Sequence, residues 1–137
     1  MARDIIHEPV RKALEKAQWT ITDDQYTMVY AEFTIYADLA AERIIAAERG
    51  KEKIAVEIKS FRRRSAVQDV KDALGSYEMY QVFLAEIEPD RKLYLAINTK
   101  AYHDIFRLEA VQLLIKRFSI PLIVVDIETQ EVIEWIE

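Results

Sequence analysis

Ile54-Ala55-Val56-Glu57-Ile58-Lys59-Ser60 is an apolar run with a carboxylate and an amine planted two residues apart. Side chains on a strand alternate between faces, so Glu57 and Lys59 share one face while Val56 and Ile58 take the other. Ionisable groups in the middle of a sheet are costly to bury unless they are paired or hold a metal. A strand that carries that cost marks a candidate site, and the elements around it set the fold.

Upstream, Glu42 to Glu48 is apolar in the middle and meets Arg49-Gly50, which reads as a hairpin turn leading into the return strand Lys53 to Ser60. A two-residue loop there pairs Glu48 with Lys51 and, counted back, sets Glu42 directly opposite Glu57. Directly opposed residues lie on one face, with Cβ atoms roughly 4.5–5.5 Å apart. Two carboxylates that close retain a proton between them unless a cation intervenes. Lys59 is one such cation. A divalent ion is a stronger one, and oxygen-only ligands suit Mg²⁺ or Mn²⁺ rather than zinc. The chemistry such a set serves is phosphodiester hydrolysis, with a metal-activated water and a lysine as a fixed positive charge.

Downstream, Ser65-Ala66-Val67-Gln68 has the form of a capping box that opens a helix running to about Glu86. Lys92 to Ile97 is a buried-type strand, and Asn98-Thr99 can cap a further helix ending before Ser119-Ile120-Pro121. Leu122 to Asp126 and Glu131 to Ile136 close the chain as strands. Before the hairpin, Asp4 to Ala17 has helical periodicity, Trp19 to Thr22 alternates as a short strand, and Met28 to Tyr36 reads as extended. The order predicts an α/β fold with a mixed central sheet flanked by helices, in a single domain spanning residues 1–137.

Composition agrees. The 137 residues are 51% hydrophobic, with two glycines and three prolines, which favours long regular elements over many tight turns. There is no cysteine, which excludes disulfides and thiolate chemistry and fits a reducing cytoplasm. The charged start of the chain has no signal-like apolar core, and no run has the length of a membrane span. A cytoplasmic protein is expected. The net charge of −5 is unlike that of a duplex-coating protein, but Arg62-Arg63-Arg64 concentrates cations directly after Glu57 and Lys59, where they can hold a phosphate backbone.

Glu57-Ile58-Lys59 after an upstream acid resembles the PD-(D/E)XK restriction-endonuclease-like fold. More narrowly, the block from Asp38 to Glu48 with Ile54 to Phe61 resembles the XisH family. The residues around Asp4, His7-Glu8, Trp19 to Thr22, Ala73-Leu74-Gly75 and Glu88-Pro89-Asp90-Arg91 extend that resemblance over nearly the whole chain. It implies a controlling factor of fdxN-element excision, a programmed DNA rearrangement in cyanobacteria, acting beside a site-specific recombinase and a small XisI-type partner. Its family pattern points to Asp38 as the upstream acid where the hairpin count points to Glu42, and both are carried. The resemblance also implies Glu8 on the first helix as a further metal ligand. Tyr80 matches the tyrosine of a glutamine–x–x–x–tyrosine helix motif whose glutamine position is Ser76 here.

The candidate site is therefore Glu57, Lys59, Asp38 or Glu42, and Glu8 around Mg²⁺ or Mn²⁺, with Arg62, Arg63, Arg64 and Tyr80 toward DNA. A homodimer is expected for duplex cleavage, since one site cuts one strand. Two alternatives stand beside the nuclease: a non-catalytic regulator that binds the recombinase or the XisI-type protein, and a toxin-like nuclease neutralised by that protein. His7 and His103 lack a patterned partner and read as packing or capping residues. Tyr26, Tyr30, Phe33 and Tyr36 read as core or interface, and Glu78, Glu86 and Glu88 as a solvated helix face.

Overall fold

The computed structural model describes residues 4–46, 50–62 and 65–137, with backbone alone for 44–46. Helix α1 (His7–Lys16) is followed by β1 (Thr20–Asp23), β2 (Tyr26–Tyr30), β3 (Phe33–Ala37), β4 (Leu39–Ala46) and β5 (Gly50–Ile58). Then come α2 (Ala66–Ile87), β6 (Arg91–Asn98), the short α3 (Thr99–Ala101) running into a π turn, α4 (Glu109–Arg117), β7 (Leu122–Asp126) and β8 (Glu131–Ile136). Six strands form one mixed sheet in the order β1-β4-β5-β6-β7-β8. β5, β6 and β7 run parallel and the outer pairings are antiparallel.

Strand alternation sorts the core into two layers. Ala55, Leu93, Leu95, Ile97, Leu122 and Val124 face α2, the π turn and α4. Ile54, Val56, Ile58, Tyr94, Ala96, Ile123 and Val125 face α1. β6, the strand flanked by parallel neighbours, is buried at every position except Lys92, as expected where helices cover both faces. Ser65 caps α2, its Oγ accepting from Gln68 N at 3.1 Å. The Gln68 side chain reaches forward to Asp72 at 2.9 Å instead of back to the cap. Asn98 Oδ1 accepts from Ala101 N at 2.7 Å and starts α3.

Two local readings are corrected. Met28 to Tyr36 is not one strand. The chain reverses at Ala31, whose φ is +51°, and β2 and β3 pair as a separate two-stranded ribbon on the α2 side. Ala31 offers no glycine-type turn signal, so a continuous run of β-formers hides the bend. The hairpin register is the second correction. From Leu39 to Ile44, β4 pairs with β5 four residues out of the expected frame: Leu39 faces Val56, and Glu42 faces Lys53, not Glu57. Ala46 pairs with Gly50, so the two-residue loop on which the count relied does not connect these strands. Residues 47–49, including Glu48 and Arg49, lie outside the described residues. Buried faces set the register: a slip would move Asp38 or Glu42 relative to two packed layers.

At the amino end of β6 the buried Arg91 donates to Ile54 O at 2.9 Å and through Nε to Glu88 at 2.8 Å. Glu88 also accepts from the Tyr26 hydroxyl. Glu88 is therefore part of a half-buried clasp and not of a solvated helix face. Among the described residues no helix is long and apolar enough to cross a membrane.

Tyr77 anchors α2 to the sheet, its buried hydroxyl donating to Leu93 O at 2.9 Å. Tyr77→Phe leaves that carbonyl without its side-chain donor, and urea unfolding is expected to show a loss of about 1 kcal/mol with an unchanged m-value.

Candidate functional site

The displaced register decides between the two upstream acids. Asp38, one residue before the Leu39–Val56 pair, comes to lie against Glu57, and the two carboxyls share a hydrogen bond. Asp38 Oδ2 also accepts from Ile58 N at 2.7 Å, which ties the end of β4 to the end of β5. Glu42 is not part of this arrangement. It shares the sheet face but stands toward the other end of the strands, where Lys51 lies 3.2 Å and Arg91 3.9 Å away.

Asp38 and Glu57 border a cavity of about 260 Å³ together with Asp4, Lys59, Asp72 and Ser76. Lys59 shares the face of Glu57, as alternation requires. Its Nζ lies 3.8 Å from Asp69 Oδ1. Asp69 is 1% exposed, in the first turn of α2. Tyr80 stands farther along α2, close enough for both carboxylates to raise its phenol pKa, though burial is the larger cause.

The acid on the α1 side is Asp4, just before the helix, and not Glu8. Asp4 Oδ1 accepts from Ile6 N at 3.0 Å and Oδ2 from Ser60 N at 3.1 Å, so it fixes the start of α1 to the end of β5. Glu8 is exposed and grouped with His7 and Asp24, outside the residues that line the acid cavity. His7 is buried, with Nε2 3.0 Å from Asp24, and Arg11 donates to the same carboxylate at 2.7 Å. The partner of His7 lies 17 residues away, which is why no local pattern announces it. Arg62 is exposed beside a second, larger cavity. Arg63 and Arg64 lie outside the described residues.

Asp4 and Asp72, which line the cavity, and Asp69, which faces Lys59, are the acids that sequence reading missed. The capping box gave the only available signal for two of them. It fixes the phase of α2, and Asp69, Asp72 and Ser76 recur at the three- and four-residue spacing of one helix face.

Burial is the largest cause of the raised pKa of Asp38, opposed by the Ile58 N–H and by the Glu57 hydrogen bond. Glu57 is pushed up to about 9, first by burial and then by the charge of Asp38, with Lys59 pulling the other way. The pair thus holds one proton near neutrality, Glu57 donating to Asp38. Glu57 Oε1 is buried without a hydrogen-bond partner among the described residues. Paired carboxyl oxygens and an unused buried oxygen fit a hard divalent cation such as Mg²⁺ or Mn²⁺.

The titration has a consequence for stability. Glu57 holds its proton to about pH 9 when folded, against 4.5 for the group's ordinary value. Its contribution is therefore full below about pH 4.5 and is lost as pH rises toward 9. Glu57→Gln removes the penalty. In metal-free buffer the variant is expected to be the more stable form at pH 8, by on the order of 2 kcal/mol, and equal to the parent at pH 4. Urea melts at both pH values check this, and a difference independent of pH contradicts it.

The XisH protein family model matches residues 1–133. The crystal structure of an XisH family protein from Nostoc punctiforme PCC 73102 is 36% identical, with a TM-score of 0.88, over 98% of this chain and all of that one. That of a fdxN element excision controlling factor protein from Anabaena variabilis is 38% identical, with a TM-score of 0.89, over the same shares. No curated protein matches the chain. The match over almost the full length, together with relatives above one-third identity that share the mixed sheet and its helices, makes this chain a member of the XisH family.

Proposed function

We propose that this protein is a DNA excision controlling factor carrying a metal-dependent phosphodiesterase site of the PD-(D/E)XK kind. The observation that carries the reading is the half-buried Asp38–Glu57 pair with Lys59 on the same face of the same cavity. The excision role rests on the likeness to the fdxN element excision controlling factor protein of Anabaena variabilis. Asp38 and Glu57 would hold Mg²⁺ or Mn²⁺, with Asp4 adding negative charge nearby. When bound, such an ion supplies a water of lowered pKa and neutralises charge on the phosphate.

The chain's own residues do the rest. Lys59 presents a fixed positive charge to the attacked phosphate, where negative charge develops. Asp69 keeps that ammonium directed along the sheet face. It is a positioning residue, acting through Lys59. Tyr80 offers a hydroxyl donor from α2, and Arg62 a phosphate contact that sets position without reading sequence. A homodimer would bring two such sites to the two strands of a duplex.

The regulator reading has its own support. Val29, Phe33 and Tyr36 on the β2–β3 ribbon and Val82 on α2 are exposed, which gives a recombinase or a small XisI-type protein an apolar surface to grip. Both readings share the fold, and turnover separates them.

Purified protein is expected to nick supercoiled DNA in Mn²⁺ and to lose that activity by about 100-fold or more in Lys59→Ala. Lys59→Ala should retain the Mn²⁺-induced rise in melting temperature, and the double variant Asp38→Asn/Glu57→Gln should lose it. An intact protein that shows the thermal shift but never nicks DNA favours the regulator. Nicking that survives in Lys59→Ala removes the catalytic assignment.

A further inference from the structure

A second cavity of about 550 Å³ lies beside the acid site, within the roughly 300–1,000 Å³ typical of small-ligand sites. It opens at the carboxyl ends of the parallel strands: Ser60 follows β5, Asn98 ends β6 and Ile127 follows β7. Ligands of open α/β sheets gather at that edge. Residues adjacent in the chain line the two cavities. Lys59 borders the acid cavity and Ser60 the larger one. Asp4 borders the acid cavity, and its neighbours Ile5 and Ile6 the larger one. The Asp4–Ser60 hydrogen bond forms the strut between them.

The larger cavity is built differently from its neighbour. Ile5, Pro9, Ile105 and Ile127 give it apolar walls, and Phe61 adds an aromatic ring. The Phe61 backbone takes φ +57°, a left-handed conformation uncommon for a bulky residue, and its ring is braced edge-on by Phe106 at 4.9 Å. The same turn brings Arg62 to the lining. Asn98 Oδ1 is taken by Ala101 N, so the amide NH₂ is the group it can offer to a ligand. A flat ring with polar edges, attached to an anion, matches this combination: the ring on Phe61 and the isoleucines, an edge atom at Asn98, the phosphate at Arg62.

We propose that this cavity receives one unstacked nucleobase from a DNA strand whose backbone crosses Arg62 and Lys59. The inference rests on the phosphodiester reading for the path of that backbone. It adds that the substrate presents a single-stranded, frayed or junction nucleotide, since a paired base cannot reach a pocket of this kind.

The test uses the full chain in EDTA with single-stranded oligonucleotides carrying one 2-aminopurine at successive positions. Emission is expected to change at least about twofold at one position as the base leaves its stack. Ile127→Trp and the surface variant Ile5→Trp, each filling the cavity from a different side, should abolish that change and weaken strand binding by roughly tenfold, with the Mn²⁺ thermal shift retained. Free dAMP should compete poorly. Emission unchanged at every position, no strand binding at all, or Trp variants indistinguishable from the parent overturns the proposal. A mononucleotide that binds as tightly as the strand also overturns it and marks a free-nucleotide site. Loss of the Mn²⁺ shift in the parent with an intact 2-aminopurine response strikes the metal reading alone.

Discussion

Two carboxyls pressed together between the ends of adjacent strands constrain the rest of this molecule. Asp38 and Glu57 are held there because β4 and β5 are each committed on their other face to the α1 layer, through Leu39 and Ala41 and through Val56 and Ile58. Neither strand can slide to separate the charges without dragging apolar residues out of that layer. Asp38 is pinned further by the Ile58 N–H. The sheet thus stores an electrostatic penalty at one point, and the proton shared by the pair relieves only part of it.

The two ends of the sheet manage buried charge in opposite ways. At the amino end of β6, Arg91 is matched to Glu88, the Ile54 carbonyl and the ring of Tyr26, so charge and donors are satisfied. Glu42 belongs to that end, and its partners are cations. At the opposite end the acids gather, with Lys59 near both Glu57 and Asp69. A balanced clasp stabilises a fold. A carboxyl with an unused buried oxygen beside a cavity has capacity left for a ligand.

Much of this was legible in the sequence. Alternation placed Glu57 and Lys59 on one face, the Ser65 cap gave the phase of α2, and both C-terminal strands were found with their observed bounds. What failed had physical causes. The hairpin count assumed a loop length, whereas register is set by burial over the whole strand, and the count set Glu42 opposite Glu57 while the family pattern pointed to Asp38. Glu8 rested on the family resemblance alone, and Asp4, just before α1, carries no local pattern that marks it. The chain before α1 is held by the Asp4 side chain, which accepts from Ile6 N and Ser60 N. The His7–Asp24–Arg11 group and the Tyr26–Glu88 bond are long-range pairings that no local pattern encodes. Asp69 reads as an ordinary first-turn acid until the sheet behind it is known.

The aromatic cluster on the opposite face has an optical consequence. The chain's two tryptophans, Trp19 and Trp135, lie with ring centroids 5.7 Å apart, and Tyr94 meets Trp135 edge-on at 5.2 Å. All three pack in the α1 layer, across the sheet from the acids. Intrinsic emission therefore monitors whether the helix and the last strand are docked, and it is insulated by a full layer of backbone from anything that enters the acid cavity. A spectroscopist who follows tryptophan alone would see this protein melt with clarity and would be nearly blind to its occupancy.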